Sequence, residues 1–491
     1  MTSLEDIRNE RLKKRAILEE RGLYPYPVRS ERSVTVRELA DSFERYETGG
    51  EAVTVAGRLT SVRDQGKLSF LTVADSTGEF QVVVQVDGLG EEQYALFVDT
   101  VDEGDLVEFS GVAFKTKRGT PSVQAKSWQM LAKTLRPLPS SWYGLHDTEE
   151  RYRRRYVDLL MNPELKDLFK KKAMFWSAAR SYIESKGFLE VHTPSLEMTT
   201  GGAEARPFKT HHNDFDMDVF LRISVGELWQ KRLMVAGFER VYEIGRAYRN
   251  EGSSPEHLQE FTNLEFYASY LDFDAGLDLT TEFYRTVAGE VFGTTAFTTR
   301  GHSFDLAADW EELDYVSTVE RMTDLNVLAA SQIDLKRKLK ELGVTYEGET
   351  RERLIDSLWK WCRKQISGPA ILLNHPKSVA PLSRVHDDDE RLTKTAQIII
   401  AGSELGRAHA ELNDPLDQAE RFKEQQKLLE QGDDEAMMPD WEYVEALEYG
   451  MPPTFGFGVG ERLFAFLADV SLREATLFPL LRPKDGGREE G

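Results

Sequence analysis

The stretch YEIGRAYRNEGSSPEHLQEFTNLEFY, residues 242–267, contains two apolar, strand-like runs on either side of a polar segment. Arg246, Arg249 and Glu251 lie where the first run ends, in a chain whose formal net charge is −22. Arg249 and Glu251 are two residues apart, so on an extended strand their side chains point to the same face. Such a pair is typical either of a structural ion pair or of a site for a polyanion.

Two other segments carry related chemistry. FGFGVGERLFAFL (455–467) has three alternate glycines, which let a backbone come close to a bulky group, and Arg462 follows at a helix start. IIIAGSELGRAHAELNDP (398–415) carries Glu404 and Glu411 on either side of a small-residue bend. Each segment alone is a weak signal. Together they indicate a magnesium nucleotide, because arginines bind phosphate oxygens and carboxylates bind hard cations.

Composition and periodicity divide the chain into parts. We expect a helical extension at 1–50, an oligonucleotide-binding (OB) barrel at 51–135, a linker at 136–150, a larger domain at 151–484 and a disordered tail at 485–491. The barrel is predicted to have five short strands. The larger domain shows no regular βαβ alternation and no Walker-type loop, which favours a mixed, largely antiparallel sheet flanked by helices. The fold class is therefore α+β.

Phe70 and Phe80 are candidate base-stacking residues in the barrel. The alternative is a core position for both. Simple alternation puts the two even-numbered residues on one face with Leu68, and this pattern favours the core.

Charge and cysteine content limit the function classes. The low pI of about 5.0 argues against a general affinity for nucleic acid or anionic membranes, so any nucleic-acid contact is local. Basic clusters occur at 8–21 and 151–156, where solvated helix faces are the simpler interpretation. The single cysteine, Cys362, excludes an internal disulfide framework. With a charged N-terminus and no long apolar run, we expect a cytoplasmic protein without a membrane partner.

Several motifs resemble those of the class II aminoacyl-tRNA synthetases. GFLEVHTPSL resembles the first family motif, RVYEIGRAYRNEG with EFTNLEFY the second, and GFGVGERLFAFLADVSLREATLFPLLRP the third. TGGAEARPFKTHHN, ELNDPLDQAERF and ALEYGMPP resemble the lysine-specific branch, the bacterial-type lysyl-tRNA synthetases, and the similarity runs from about residue 5 to residue 484. The resemblance implies ATP-dependent activation of L-lysine to lysyl-adenylate and its transfer to the 3'-hydroxyl of tRNA(Lys). It also implies a homodimer with an antiparallel catalytic sheet and an N-terminal anticodon-binding barrel.

The resemblance implies roles at the nucleotide for five residues. Arg249 holds the α-phosphate, Glu251 accepts from the adenine amino group, and His257 meets the outer phosphates. Phe261 and Arg462 sandwich the adenine ring, and Arg249 and Arg462 are the catalytic pair. No protein nucleophile is needed, because the carboxylate of the amino acid attacks in line. Arg246 carries no family role, so we expect a structural ion pair there.

The resemblance also implies an amino-acid site, a metal site, an anticodon site and a dimer contact. Glu411 and Tyr267 hold the ε-ammonium, and Glu265 holds the α-amino group. The whole amino-acid set is Gly202, Glu227, Glu265, Tyr267, Arg407, His409 and Glu411. The remaining assignments are Glu404 and Gln397 for Mg²⁺, Phe70 and Gln81 for the anticodon, and Pro194 for the dimer interface.

Four residues differ from the family pattern. Gln397 lies where the family carries an acidic metal ligand, so the number of Mg²⁺ ions stays open. Arg407 and His409 lie where the family carries Asn and an aromatic residue, and Thr120 replaces a glutamate in the barrel turn, which leaves readout of one anticodon base open. Our hypothesis is that Arg407 faces the carboxylate and phosphate side, so that lysine remains the substrate.

Two other functions fit parts of the pattern. One is a paralogue that attaches lysine or a related amino acid to a non-tRNA acceptor, against which the intact barrel argues. The other is a catalytically inactive tRNA-binding regulator. Retention of Arg249, Glu251, Phe261, Glu404 and Arg462 argues against that reading, because a binding module has no need for a triphosphate site.

Overall fold

A computed structural model describes residues 3–139, 147–203, 205–252, 254–346, 348, 350–432 and 436–483. Residues 140–146 of the predicted linker and all of the predicted disordered tail lie outside the described residues. The chain forms two compact units, Met1–Thr148 and Glu149–Gly491. No described helix combines the length and the apolar character that a membrane crossing requires.

The first unit is a closed five-stranded barrel with helices around it. Its helices are α1 Leu4–Glu20, α2 Val36–Asp41, α3 Phe43–Gly49, α4 Val86–Leu89 and α5 Glu91–Thr100. Its strands are β1 Ala52–Asp64, β2 Leu68–Ala74, β3 Glu79–Gln85, β4 Leu106–Lys115 and β5 Pro121–Ala132, in the order β1-β2-β3-β5-β4. Capping boxes at Ser3 and Thr35 begin α1 and α2. The predicted barrel is confirmed.

The two barrel phenylalanines lie on opposite faces, so the expectation that they share one face is wrong. In β2 the buried residues are odd-numbered, which directs Phe70 away from the core. Val73 pairs with Phe80 across the β2–β3 hairpin, and Phe80 is buried in the core beside Phe43. Core-facing residues are therefore odd-numbered in β2, whereas the core-facing Phe80 of β3 is even-numbered.

The second unit is built on an eight-stranded mixed sheet. Its strands, including those of two small sheets, are β6 Leu189–Glu190, β7 Leu196–Glu197, β8 Lys209–His212, β9 Met217–Leu221, β10 Arg240–Tyr248, β11 Glu260–Ser269, β12 Ala296–Thr299, β13 His302–Asp305, β14 Glu311–Asp314, β15 Ala370–Pro376, β16 Leu392–Ile400, β17 Ser403–Ala410 and β18 Thr454–Gly460. The large sheet has the order β14-β15-β16-β17-β18-β11-β10-β6. Its neighbours are antiparallel except for β14–β15 and β10–β6, which are parallel. The predicted α+β class with a largely antiparallel sheet is confirmed.

Helices cover this sheet and extend from one edge. They are α6 Thr148–Arg153, α7 Arg155–Met161, α8 Leu165–Ser185, α9 Glu227–Val235, α10 Phe273–Phe292, α11 Tyr315–Thr323, α12 Gln332–Glu341, α13 Arg351–Arg363, α14 Pro415–Glu430, α15 Trp441–Glu448 and α16 Arg462–Leu467, with a short 3₁₀ turn at Lys377–Val379. Helices α8 and α10 bury apolar faces against the sheet in one core. Helices α11 to α13 form a second core with β14 and β15.

Candidate active site

A cavity of about 580 Å³ lies over the face of the large sheet that is turned away from the main core. In β18 the side chains of Phe455, Phe457 and Val459 pack into that core. The glycines that alternate with them line the cavity: Gly456, Gly458 and Gly460. Because glycine has no side chain, β18 leaves room above the sheet for a bound molecule.

Strand register places many of the predicted binding residues in two rows across the sheet. The first row is Gln397, Arg407, Gly458 and Glu265, and the second is Thr395, His409, Gly456 and Tyr267. A β-carbon on Gly456 would lie 2.0 Å from Glu411 Oε1. Glycine is therefore required there for the Glu411 carboxylate to lie over the strand.

One end of the cavity contains a buried lysine between two glutamates. Lys231 Nζ lies 2.7 Å from Glu227 Oε1 and 2.5 Å from Glu411 Oε2. Glu227 and Lys231 are four residues apart on α9, which brings their side chains together on one helix face. Burial disfavours an ammonium, but Glu227 and Glu411 outweigh burial and raise the pKa of Lys231. Lys231 is therefore a permanent cation at this end of the site.

A third carboxylate, Glu265, lies at the same end. Its Oε1 accepts hydrogen bonds from the backbone N–H of Val225 at 2.8 Å and from Asn263 Nδ2 at 2.9 Å. Tyr267 donates its hydroxyl to Glu265 Oε2 at 3.3 Å. Gly202 lines this part of the cavity with φ of +88°, a conformation in which a side chain would also collide with Ser224. We call this group the acidic end: Glu227, Lys231, Glu265, Tyr267 and Glu411.

Burial controls protonation at the acidic end. It raises the pKa of Glu265 and of Glu411, with a contribution from Glu227 in both cases, while Lys231 opposes the shift at Glu411. Burial also lowers the pKa of His409 far below its ordinary value. The His409 ring is therefore neutral at pH 7, and its Nδ1 lies 3.1 Å from Thr395 Oγ1.

The other end of the cavity is rich in arginine. Arg249 donates its Nε to the backbone oxygen of Ile223 at 3.2 Å, and its guanidinium carbon lies 5.3 Å from the centre of the Phe261 ring. Arg462 Nη2 pairs with Glu256 Oε2 at 2.9 Å, while its buried Nε has no hydrogen-bond partner among the described residues. Burial lowers the pKa of both arginines, although their high ordinary pKa keeps them charged. We call this group the cationic end: Arg249, Arg363, Arg407 and Arg462.

Glu251 and His257 border the cationic end on the loop between β10 and β11. The expectation that Arg249 and Glu251 share a strand face is wrong, because β10 ends at Tyr248 and the chain then turns. Ser254 Oγ lies 2.8 Å from His257 Nδ1, and burial, together with the charge of Arg462, lowers the pKa of this imidazole.

Arg246 lies outside the cavity and pairs with Glu260. Its Nε lies 3.6 Å from Glu260 Oε1 on the exposed face of the β10–β11 pair. The predicted structural ion pair is confirmed. Arg246 therefore serves as a natural comparison for Arg249, three residues away.

The predicted magnesium ligands, Glu404 and Gln397, lie in β17 and β16 beside α13. Gln397 Oε1 accepts a hydrogen bond from Trp359 Nε1 at 2.9 Å. Glu404 Oε1 accepts one from Arg407 Nε at 2.9 Å, and Glu404 Oε2 lies 3.7 Å from Arg363 Nη1. Burial raises the pKa of Glu404, but Arg407 and Arg363 outweigh burial and lower it. This donor set does not fit a protein-bound Mg²⁺, which requires several oxygen ligands.

Two family models match separate parts of the chain. Residues 147–482 match the model described as "tRNA synthetases class II (D, K and N)". The chain belongs to the class II tRNA synthetases. Residues 53–131 match the model described as "OB-fold nucleic acid binding domain".

Full-length relatives are lysine–tRNA ligases. That of Thermotoga maritima is 40% identical over 99% of this chain and 98% of its own length. That of Roseiflexus sp. is 39% identical over 98% of this chain and 100% of its own length. That of Pelotomaculum thermopropionicum is 40% identical over 98% of this chain and 96% of its own length. These matches confirm the resemblance to lysyl-tRNA synthetases.

The predicted anticodon residues lie on neighbouring strands of the barrel. Phe70 on β2 pairs with Val83 on β3, and Gln81 lies two residues from Val83, so Phe70 and Gln81 are diagonal neighbours on one face. Ser122 donates its hydroxyl to Gln81 Oε1 at 3.1 Å. Thr120 is exposed in the turn before β5.

Pro194, the predicted dimer residue of this synthetase, is exposed. Nearby residues of the same segment are apolar and at least half exposed: Leu189, Leu196 and Met198. Such a concentration of exposed apolar side chains is typical of a surface that another protein covers.

Sequence reasoning missed four residues that shape the synthetase site. Lys231 pairs with the carboxylates of the acidic end, and Glu256 pairs with Arg462. Trp359 and Arg363 extend from α13 to Gln397 and Glu404, respectively. The spacing of Glu227 and Lys231, four residues apart on a predicted helix, was a usable signal for the first. The other three depend on contacts distant in sequence.

Proposed function

We propose that this synthetase activates L-lysine with ATP and transfers the lysyl group to the 3'-hydroxyl of tRNA(Lys). One observation carries the amino-acid assignment: the acidic end holds three carboxylates against a single ammonium, Lys231. With all three carboxyls ionised, the formal excess is two negative charges. Lysine brings two ammonium groups, so it neutralises this excess. A neutral or acidic amino acid would leave buried carboxylates unpaired, which is costly.

Within this site the two ammonium groups of lysine have separate partners. Glu411 and Tyr267 receive the ε-ammonium, and Glu265 receives the α-amino group, with Gly202 and Glu227 beside it. His409 is neutral and adds no repulsion. Arg407 pairs with Glu404, which supports our hypothesis that Arg407 serves the carboxylate and phosphate side.

The cationic end receives the nucleotide in this proposal. Arg249 binds the α-phosphate, Glu251 the adenine amino group and His257 the outer phosphates, while Phe261 and Arg462 enclose the ring. The lysine carboxylate attacks the α-phosphorus, a lysyl-phosphate bond forms, and pyrophosphate leaves. Negative charge grows on the phosphoryl oxygens in the transition state, and fixed guanidinium groups stabilise it without reorganisation.

Membership of this family and the presence of the barrel also suggest what the enzyme binds. Members of this family use ATP, typically together with Mg²⁺, and we propose Mg²⁺ bound to the phosphate oxygens of ATP. Phe70 stacks on an anticodon base and Gln81 reads its neighbour through hydrogen bonds. The exposed apolar segment around Pro194 forms the contact of a homodimer. We place the enzyme in the cytoplasm, where tRNA, ATP and lysine occur together.

Amino-acid-dependent ATP–pyrophosphate exchange, measured with each of the twenty amino acids, tests the activation step. Lysine should give the fastest exchange, and charging of total tRNA should then yield lysyl-tRNA. Fastest exchange with a neutral or acidic amino acid would overturn the lysine assignment. Lysine-dependent exchange without tRNA charging would favour the paralogue with a non-tRNA acceptor, and no exchange at all would favour the inactive regulator.

A further inference from the structure

At the predicted metal site, formed by Glu404 and Gln397, arginine side chains already neutralise the negative charge of the protein. Gln397 carries no charge and its amide oxygen is bonded to Trp359. The Glu404 carboxylate lies between Arg407 and Arg363, so the local formal charge is positive before any ion enters. A guanidinium has no acceptor atom, so neither arginine can serve as a metal ligand.

Arg407 is held so that its charge faces the cavity. It lines the cavity, and 42% of its side chain is exposed there. It lies opposite Gln397 on one side and opposite Gly458 on the other, and Gly458 has no side chain that would fill the cavity beside Arg407. The hydrogen bond from its Nε to Glu404 fixes the direction of the group.

We propose that the Arg407 guanidinium, held by Glu404, acts as a built-in cation where a protein-ligated divalent ion would otherwise bind, and that it contacts the phosphates of ATP. This inference rests on the proposed function, because it assigns the ligand of the cationic end. Only the divalent ion that ATP itself carries is then bound in the complex. Gln397 and Arg407 must therefore be changed together to create a metal site. A glutamate at position 397 alone would lie opposite Arg407 and pair with it.

Counting bound metal tests the proposal directly. The whole protein is mixed with α,β-methylene-ATP, which cannot release pyrophosphate, and with lysine, and bound Mn²⁺ per protomer is measured by electron paramagnetic resonance. The wild type should bind only the Mn²⁺ that the nucleotide carries. The double variant Gln397→Glu with Arg407→Asn should bind at least one Mn²⁺ more. Extra Mn²⁺ on the wild type, or none on the folded double variant, would overturn the proposal.

A single variant keeps the test independent of how the double variant folds. Arg407→Ala should lower lysine-dependent exchange by about tenfold or more, because a fixed cation is lost from the reacting phosphates. Its matched control is Arg391→Ala, an exposed arginine that pairs with Asp389 outside the cavity and should leave exchange unchanged. Equal rates for Arg407→Ala and Arg391→Ala would overturn the role of Arg407.

The two proposals fail in different ways. If the wild type shows no lysine-dependent exchange, the proposed function falls, whatever the metal count. If exchange is lysine-dependent but the wild type binds Mn²⁺ beyond that carried by the nucleotide, the proposed function stands and Arg407 is not the built-in cation.

Discussion

At both ends of the cavity, charged side chains are held in place by a counter-ion of the protein, but the net charge of the two ends is opposite. At the acidic end, three carboxylates surround one buried ammonium, Lys231. At the cationic end, Glu256 and Glu404 each hold an arginine in place. In both cases an internal counter-ion fixes the geometry of the charges and leaves a surplus for the ligand. Preorganised charges of this kind need little reorganisation when the reaction begins.

The two ends differ in whether their charged groups change protonation near neutral pH. Arginine stays charged at any physiological pH, so the cationic end has a fixed charge. Buried carboxylates change protonation when their surroundings change, so the charge of the acidic end depends on its ligand and on pH. The cationic end therefore suits charge stabilisation in the transition state, and the acidic end suits selection of the amino acid.

Removal of Arg249 should give the largest effect. Arg249→Ala should slow lysine-dependent ATP–pyrophosphate exchange by at least about a hundredfold, on the order of 3 kcal/mol, because a charge-assisted contact to the reacting phosphate is lost. Arg246→Ala is the matched control, since Arg246 lies on the exposed face and pairs with Glu260. Near-normal exchange in folded Arg249→Ala protein would break the assignment of the cationic end.

Substitution of Glu411 tests the acidic end with a smaller expected effect. Glu411→Gln should lower kcat/KM for lysine by roughly fiftyfold, about 2 kcal/mol, because the ε-ammonium loses a charged partner. ATP binding, followed by equilibrium dialysis, should change little. Glu424→Gln, on the exposed side of α14, controls for the substitution itself. A parallel loss of ATP affinity would show that the two ends are not separable.

Periodicity and motif spacing predicted the framework of this site well. The alternation of FGFGVG placed three glycines on one side of a strand and three apolar residues on the other, as β18 shows. The motifs also brought Glu265 and Tyr267 together with Glu411, which is far from them in sequence. Local pattern suffices here because strand period and glycine chemistry are local properties.

Pairings across the fold could not be predicted in the same way. The ion pair of Lys231 with Glu411 joins residues 180 positions apart. The hydrogen bond from Trp359 to Gln397 depends on how helix α13 packs on the sheet. Which face of the barrel Phe70 and Phe80 occupy depends on the hairpin register, and simple alternation along the sequence does not predict that register.

A substitution in the barrel sharpens the comparison because it should affect neither end of the cavity. Phe70→Ala should reduce tRNA charging by roughly tenfold, about 1–2 kcal/mol, through loss of base stacking, while exchange without tRNA stays normal. Phe80→Ala is the structural control. It empties a core position and should destabilise the barrel by about 3 kcal/mol or more, seen in thermal unfolding. If Phe70→Ala destabilises the protein as Phe80→Ala does, its role is packing.

The pH dependence of substrate binding should distinguish the two ends without mutation. Burial raises the pKa of Glu265 to about 7 and that of Glu411 to about 8, so both carboxyls take up protons as pH falls below those values. A protonated carboxyl cannot pair with an ammonium. KM for lysine should therefore be higher at pH 6.5 than at pH 8.5.

KM for ATP should change much less over that interval, because the arginines of the cationic end do not titrate. Lysine binding should also release protons near pH 7.5, since the incoming ammonium groups stabilise the ionised carboxyls and lower their pKa. Calorimetry in two buffers of different ionisation enthalpy measures this release. Equal pH dependence of both KM values, or no proton release, would mean that the carboxyls at the acidic end are already fully ionised in the free enzyme. Selection of lysine would then rest on fixed charges, as phosphate binding does.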